Sequence, residues 1–268
     1  MARDNPLTSD PPKEIPLKNA PLVRVLAQVR FPTILSIQQL QDNNLVASFQ
    51  EAIREQYPLF YKDRIQGYTL GNQQIETAEG IIIWRFQDRD GMWQISLAPS
   101  FLSLDTKRYS SRTEFLKCLE EALSALSEHI KPQICERIGL RYVDRIDLDQ
   151  IDDIKKFIDP TISGILSTEV GDYVDQAFTE SLLSLPEQKE KIVARWGKLP
   201  PKATIDPAII EPINKSTWVL DLDMSISERI NFDVQEIKDK TNDFSKRLYT
   251  IFRWIVTENF LKHFGGNL

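Results

Sequence analysis

Histidine and cysteine are scarce in this chain: His129, His263, Cys118 and Cys135 are the whole complement in 268 residues. So few thiols exclude a disulfide scaffold and fit a reducing compartment, where they read as core thiols. A nucleophilic triad would have to recruit one of the two histidines, and neither a nucleophile elbow nor a Cys-His signature accompanies them. Both histidines fall in the last turn of an expected helix, where the dipole favours positive charge and accounts for them without catalysis. Glycine is sparse as well, and no glycine pair follows a strand, which removes a phosphate-cradling loop. No apolar run approaches the roughly 20 residues of a membrane span. The polar, proline-bearing start from Met1 to Lys18 does not read as a secretory signal. Positive charge is not in excess either: the formal net charge of -6 argues against bulk attraction to nucleic acid and leaves room for a local basic patch only. The expectation is a cytoplasmic protein with no membrane partner, no cofactor and no metal.

What is present is globular. Hydrophobic residues make up 41% and charged residues 27% of the chain, close to folded averages and enough for a substantial core. The organising stretch is Ser111 to Asp147, an amphipathic helix that runs to a proline and feeds one long alternating strand. Ser111 and Glu114 have capping-box spacing. Phe115, Leu119, Ala122, Leu123, Leu126 and Ile130 then form one apolar stripe, ended by Pro132. In the strand, Ile138, Leu140, Tyr142 and Ile146 share one face, while Arg137, Gly139, Arg141, Val143 and Arg145 share the other.

Taken in order, residues 1–20 carry Pro6, Pro11, Pro12 and Pro16 among charges and read as an extended arm with no fold of its own. Leu22 to Phe31 alternates as a strand, ended by Pro32. Asn44 to Tyr57 reads as a helix burying Leu45, Phe49, Ala52, Ile53 and Gln56. Ile81 to Gln87 and Met92 to Ala98 form a hairpin around Asp88 to Gly91, and Phe101 to Leu104 continue as a short extended segment. Trp84 and Trp93 lie across that hairpin and belong to the core. Residues 21–149 thus predict a ferredoxin-like (βαββαβ) domain whose first and last strands lie side by side.

Residues 150–268 form a second α+β half. A short helix from Asp152 to Ile158 is expected to end at Pro160. Tyr173 to Leu185 and Lys191 to Leu199 pair as a hairpin, and Trp218 to Ile226 is a strand with Asp221 and Asp223 on one side. One long terminal helix, Asp233 to His263, ends at Gly265 and Gly266. Phe115, Lys117 and Leu119 share their spacing with Phe244, Lys246 and Leu248, which suggests that the halves are diverged repeats.

The candidate site is an arginine face. Arg24 and Arg30 on the first strand would join Arg137, Arg141 and Arg145 on the last. Guanidinium groups roughly 7 Å apart along a strand match phosphates and could hold RNA, a nucleotide or another anion. The aromatic platforms of single-strand RNA readers are missing from the expected neighbours. The competing reading is that the second half covers this face and supplies carboxylates, Asp221 and Asp223 being suited to that. The same two aspartates could instead bind a divalent cation, although nothing nearby completes a ligand set. The run Asp144, Asp147, Asp149, Asp152 and Asp153 lacks the pattern of a calcium loop and reads as a solvated helix entry.

Pro21-Leu-Val-Arg-Val-Leu-Ala-Gln-Val-Arg-Phe31, the hairpin with Trp84-Arg-Phe86 and Asp90-Gly91, Tyr109 with Phe115, and Arg137-Ile-Gly-Leu-Arg-Tyr-Val-Asp-Arg-Ile146 together resemble a sporadically distributed family of uncharacterised bacterial and archaeal proteins. The resemblance is best over residues 21–147. Asp144 departs from it, an asparagine being commoner there. The family has no assigned activity, and its patchy distribution implies mobile or defence-associated genes. Function is therefore expected to be non-catalytic: an interaction or regulatory protein, defence- or stress-associated, with a protein partner or self-association through an exposed apolar patch such as the terminal helix. The alternative is a nucleic-acid or nucleotide binder using the arginine face.

Overall fold

The computed structural model describes residues 4–39, 44–70, 75–150, 153–186 and 189–267. Its secondary structure is mixed α+β, dominated by a large antiparallel sheet. The elements are β1 (Leu22–Arg30), α1 (Asn44–Ile53), β2 (Leu59–Leu70), β3 (Ile75–Gln87), β4 (Trp93–Ala98), β5 (Phe101–Thr106), α2 (Arg112–Ala125), β6 (Ile134–Cys135), β7 (Arg137–Asp147), α3 (Pro160–Ser163), β8 (Ala177–Ser184), β9 (Lys191–Leu199), β10 (Thr217–Ile226), β11 (Ile230–Asn231), α4 (Val234–Ile255) and α5 (Glu258–His263). Strands follow one another in the order β2-β3-β4-β5-β1-β7-β10-β9-β8, and β6 pairs separately with β11. Two compact units interleave in sequence, one made of residues 26–139 and 227–242, the other of residues 1–25, 140–226 and 243–268. The sequence reading instead divides the chain consecutively, at 149/150.

In the unit built on residues 26–139, four strands stand between α1 and α2 where the sequence reading counts two. Leu59–Leu70 is a full strand, and the short extended segment at Phe101 is a strand of its own, so β5, not β4, neighbours β1. The predicted hairpin is present, with Gln87 opposite Gln94. Gly91 takes φ +66°, and the Asp88 carboxylate accepts the amides of Met92 and Trp93 at 2.7 and 3.0 Å. Trp84 and Trp93 are both buried. The Trp84 indole donates to the Ile37 carbonyl at 2.8 Å, and Trp93 stacks on Phe115.

Helix α2 buries the whole predicted stripe. Only half of the capping box forms: Ser111 Oγ accepts the Glu114 amide at 3.2 Å, while the Glu114 carboxylate takes the Ser110 hydroxyl. The helix widens into a π-helical turn at Leu126–Ile130, closed by Lys131 at φ +59° one residue before Pro132. In α1 the buried residues are Val46, Phe49 and Ile53. Ala52 is exposed because it lies off the Val46, Phe49, Ile53 stripe, and Gln56 is exposed because the helix ends at Ile53 and the turn after it brings Tyr57 inward instead.

In the other unit, β8 and β9 pair as predicted, beginning at Ala177 rather than Tyr173. Trp218, Leu220, Leu222 and Met224 of β10 are buried. Pro160 opens a helix rather than ending one: it occupies the first turn of α3, capped by the Asp159 side chain on the Thr161 amide. Its missing N–H costs nothing there. Asp152, expected at a helix start, lies outside the described residues.

The terminal helix is broken. α4 stops at Ile255, Val256 bridges to Ile158, and Thr257 caps α5 by accepting the Phe260 amide at 3.3 Å while donating to the Lys156 carbonyl at 2.6 Å. Gly265 ends α5 at φ +82°, consistent with the left-handed cap expected there. The arm lies in this unit too, from Asp4 to Asn19, outside any helix or strand, with turns at Asn5 to Ser9 and at Lys18 and Asn19.

Candidate functional site

The five arginines divide between the units. Arg30 and Arg137 belong to the unit of residues 26–139, and Arg24, Arg141 and Arg145 to the other. Arg30 is exposed and Arg24 half-buried. Arg137 is also half-buried, with Nη1 donating to Gln28 at 3.4 Å. A Cβ on Gly139 would stand 2.7 Å from that guanidinium, so glycine at this position lets the Arg137 head fold back along its own strand. Arg145 donates to the Glu211 carbonyl at 2.9 Å.

Arg141 is the centre of a charged row. Its Nε and Nη2 donate to the two oxygens of Asp221 at 2.7 and 2.9 Å, a fork-to-fork pair, the strongest geometry open to an arginine and a carboxylate. Its Nη1 donates to Asp206 at 3.0 Å. Strand register places Asp221 opposite Arg195 and Arg195 opposite Glu180, so side chains of β10, β9 and β8 line up across the sheet. Arg195 Nη1 donates to Asp221 at 3.1 Å, and its Nε pairs with Glu180.

The Asp221 side chain is 0% exposed and that of Arg141 13%. Burial works against the Arg141 charge, but the hydrogen bonds and charges of Asp221 and Asp206 outweigh it and hold the guanidinium above its ordinary pKa. Two guanidinium groups face three carboxylates, so this row is not a positive surface. Sequence reasoning named Arg141 and Asp221 but missed Arg195, Glu180 and Asp206. No local pattern marks those three, because their partnership depends on cross-strand register and on the loop after β9.

With both oxygens of Asp221 held by arginines, they are committed away from a cation. Among the described residues no group of three or more His, Cys, Asp or Glu side chains is placed to hold a metal. The acidic run is not uniformly solvated. Asp147 pairs with Lys215, which lowers its pKa, and Asp153 caps the turn at Ile154. Asp144 is buried, and burial alone raises its carboxyl to about 7. Its parity with Tyr142 and Ile146 was the legible signal, since period two turns all three to one face.

His129 lies in the π-helical turn, and the His263 ring packs edge-on against Phe157 at 4.9 Å. The apolar terminal helix, expected to be exposed, is partly covered by the arm. Arg247 donates to the carbonyls of Pro6 and Ser9 at 2.7 and 2.8 Å, and the Ile15 amide donates to Tyr249 at 2.8 Å. Exposed apolar side chains of this unit include Ile165, Val170 and Tyr173 in the turns before β8 and, on β8 itself, Phe178 at 39% and Leu182 at 63%. By alternation Phe178 and Leu182 share the face of Glu180. Comparison with protein-family models and with curated proteins finds no match. No helix among the described residues is long and apolar enough to cross a membrane.

Proposed function

We propose that this chain is a non-catalytic interaction or regulatory protein that engages a protein partner, or a second copy of itself, through the edge strand β8. The observation that carries the reading is the exposure of Phe178 and Leu182 on the last strand of the sheet order. An edge offers main-chain donors and acceptors for an added strand, alternate side chains supply selectivity, and apolar residues on such a strand are a liability unless something covers them. No lysine or proline guards β8.

The first part of the chain is read as an enlarged ferredoxin-like domain. Support comes from β1 standing between β5 and β7 in the strand order. The halves are read as relatives, and equal burial of Phe115 and Leu119 on α2 and of Phe244 and Leu248 on α4 supports that. The setting is read as cytoplasmic from the scarcity of thiols and as defence- or stress-associated from the sequence resemblance.

The test is capture from native extract with and without nuclease, alongside light scattering of the pure protein. Partner bands or dimers that survive nuclease, and disappear with Leu182→Lys while the melting temperature holds, are expected. Binding that is nuclease-sensitive and unaffected by Leu182→Lys overturns this reading. It would favour nucleic acid, for which the exposed Arg30 is the available contact.

A further inference from the structure

Register fixes what an added strand would meet at β8. Glu180 stands opposite Arg195, flanked by Phe178 opposite Gly197 and by Leu182 opposite Val193. At the loop end of this hairpin the Leu185 amide donates to the Glu190 carbonyl at 3.3 Å, which marks that pair as bonded. Bonded pairs alternate along an antiparallel ladder, so the main-chain groups of Phe178, Glu180 and Leu182 point away from β9. Their side chains lie on one face. An incoming strand would therefore read this alternating triplet through main chain and side chains together.

The triplet is charged at its centre. Each guanidinium of the row holds two carboxylates: Arg141 those of Asp206 and Asp221, Arg195 those of Asp221 and Glu180. Charge thus alternates from β7 to β8 and ends, at the edge of the sheet, on a carboxylate. Glu180 engages Arg195 through Oε2, and its side chain is 58% exposed. Two other charged residues share this face. Asp223, opposite Val193, adds negative charge one row away, and Lys191, opposite Ser184, lies two rows or roughly 14 Å from the Arg195 row. The next cross-strand place after Glu180 favours a cation. A second copy of β8 cannot supply it, because Ala177–Ser184 contains neither lysine nor arginine. Two-fold pairing centred on Glu180 would set two carboxylates directly opposite each other, which is destabilising.

We propose that the occupant of this edge is an extended strand of another protein in which a lysine or arginine alternates with two apolar residues, the cation standing opposite Glu180 and the apolar side chains opposite Phe178 and Leu182. The cation carries the alternation of charge one strand further, and the apolar pair covers the exposed side chains. This rests on the reading of β8 as the docking edge and adds what that edge selects.

The probes are three fluorescein-labelled peptides, Thr-Val-Thr-Xaa-Thr-Val-Thr with lysine, norleucine or glutamate at the centre, titrated by anisotropy into the full chain. The lysine peptide is expected to bind tightest and the glutamate peptide weakest. Glu180→Gln should weaken the lysine peptide about two- to fivefold, the effect of one cross-strand ion pair, and leave the norleucine peptide unchanged. Leu182→Lys should remove binding of all three. Equal binding of the three peptides, a lysine preference that survives Glu180→Gln, or no binding of any peptide overturns the proposal. In each case the docking edge itself stands if capture from native extract is still lost with Leu182→Lys, and falls if capture is indifferent to it. Oligomers of the pure chain that dissolve with Leu182→Lys overturn the proposal in favour of a second copy, whose strand β2 carries Lys62.

Discussion

Replacing Asp221 by asparagine tests the charged row at its most buried member. The substitution keeps shape and removes charge. Arg141 then loses its fork-to-fork partner and keeps only Asp206, while Arg195 keeps only Glu180, whose side chain is 58% exposed. Because Asp221 is fully buried, its neutralisation leaves two poorly solvated guanidinium groups with only part-exposed carboxylates, and breaking a buried pair costs up to about 3–5 kcal/mol. Asp206→Asn removes a bond from the same guanidinium, but Asp206 is 34% exposed, and pairs of that kind contribute about 0–1 kcal/mol. The contrast between the two is the prediction.

Urea unfolding at pH 7, followed by tryptophan fluorescence and by hydrogen exchange at the β10 amides, measures it. The Asp221→Asn loss should persist at high salt, since buried pairs are screened much less than exposed ones. Combined replacement of Arg141, Asp221 and Arg195 by apolar residues of similar size should recover most of it. A loss for Asp221→Asn below about 1 kcal/mol, or equal to that for Asp206→Asn, would refute the reasoning by showing that the row is solvated.

Asp144→Asn should stabilise the protein in a pH-dependent way. The folded carboxyl is raised by burial from 3.8 to about 7, so the wild-type contribution is full below pH 3.8, falls as pH rises, and is lost above about 7. Near 1.4 kcal/mol per unit, the asparagine variant should gain on the order of 4 kcal/mol relative to wild type at pH 8 and almost nothing near pH 3.8. Parallel curves from pH 4 to 8 would contradict this. Gly197→Ala should detach β8, since Gly197 has φ +149° and its new Cβ would stand 1.9 Å from the Ala177 carbonyl. Backbone strain alone costs about 1–3 kcal/mol, and fast exchange confined to β8 and β9 amides is the expected signature. Thr257→Ala removes the α5 cap and the bond to Lys156, at about 1 kcal/mol, read as a lower urea midpoint with an unchanged slope; no shift would mean that the Val256 bridge alone ends α4.

Local chemistry was legible wherever one short stretch carried it. The α2 stripe, the Gly91 turn, the β8–β9 hairpin and the left-handed end at Gly265 follow from periodicity and from backbone freedom within a few residues. The break at Thr257 was hidden because Phe252, Val256 and Phe260 keep helical spacing across it, and periodicity cannot see a cap whose hydroxyl bonds a carbonyl from another segment. β5 reads from the sequence as an extended segment ending at Leu104, two residues short of its end at Thr106, and is not counted there as a strand of its own. Asp144 reads as solvated because it sits in an acidic run, although its parity places it with Tyr142 and Ile146.

What the chain determined by itself is therefore which segments are helix or strand and which side of each is apolar, since these depend on neighbours three, four or two positions away. Which arginine meets which carboxylate was decided by tertiary structure alone. Asp221 meets Arg141 and Arg195 because register aligns strands that are up to 80 residues apart in sequence, and the energy of that alignment comes from hydrogen bonds and burial that exist only after the strands have paired.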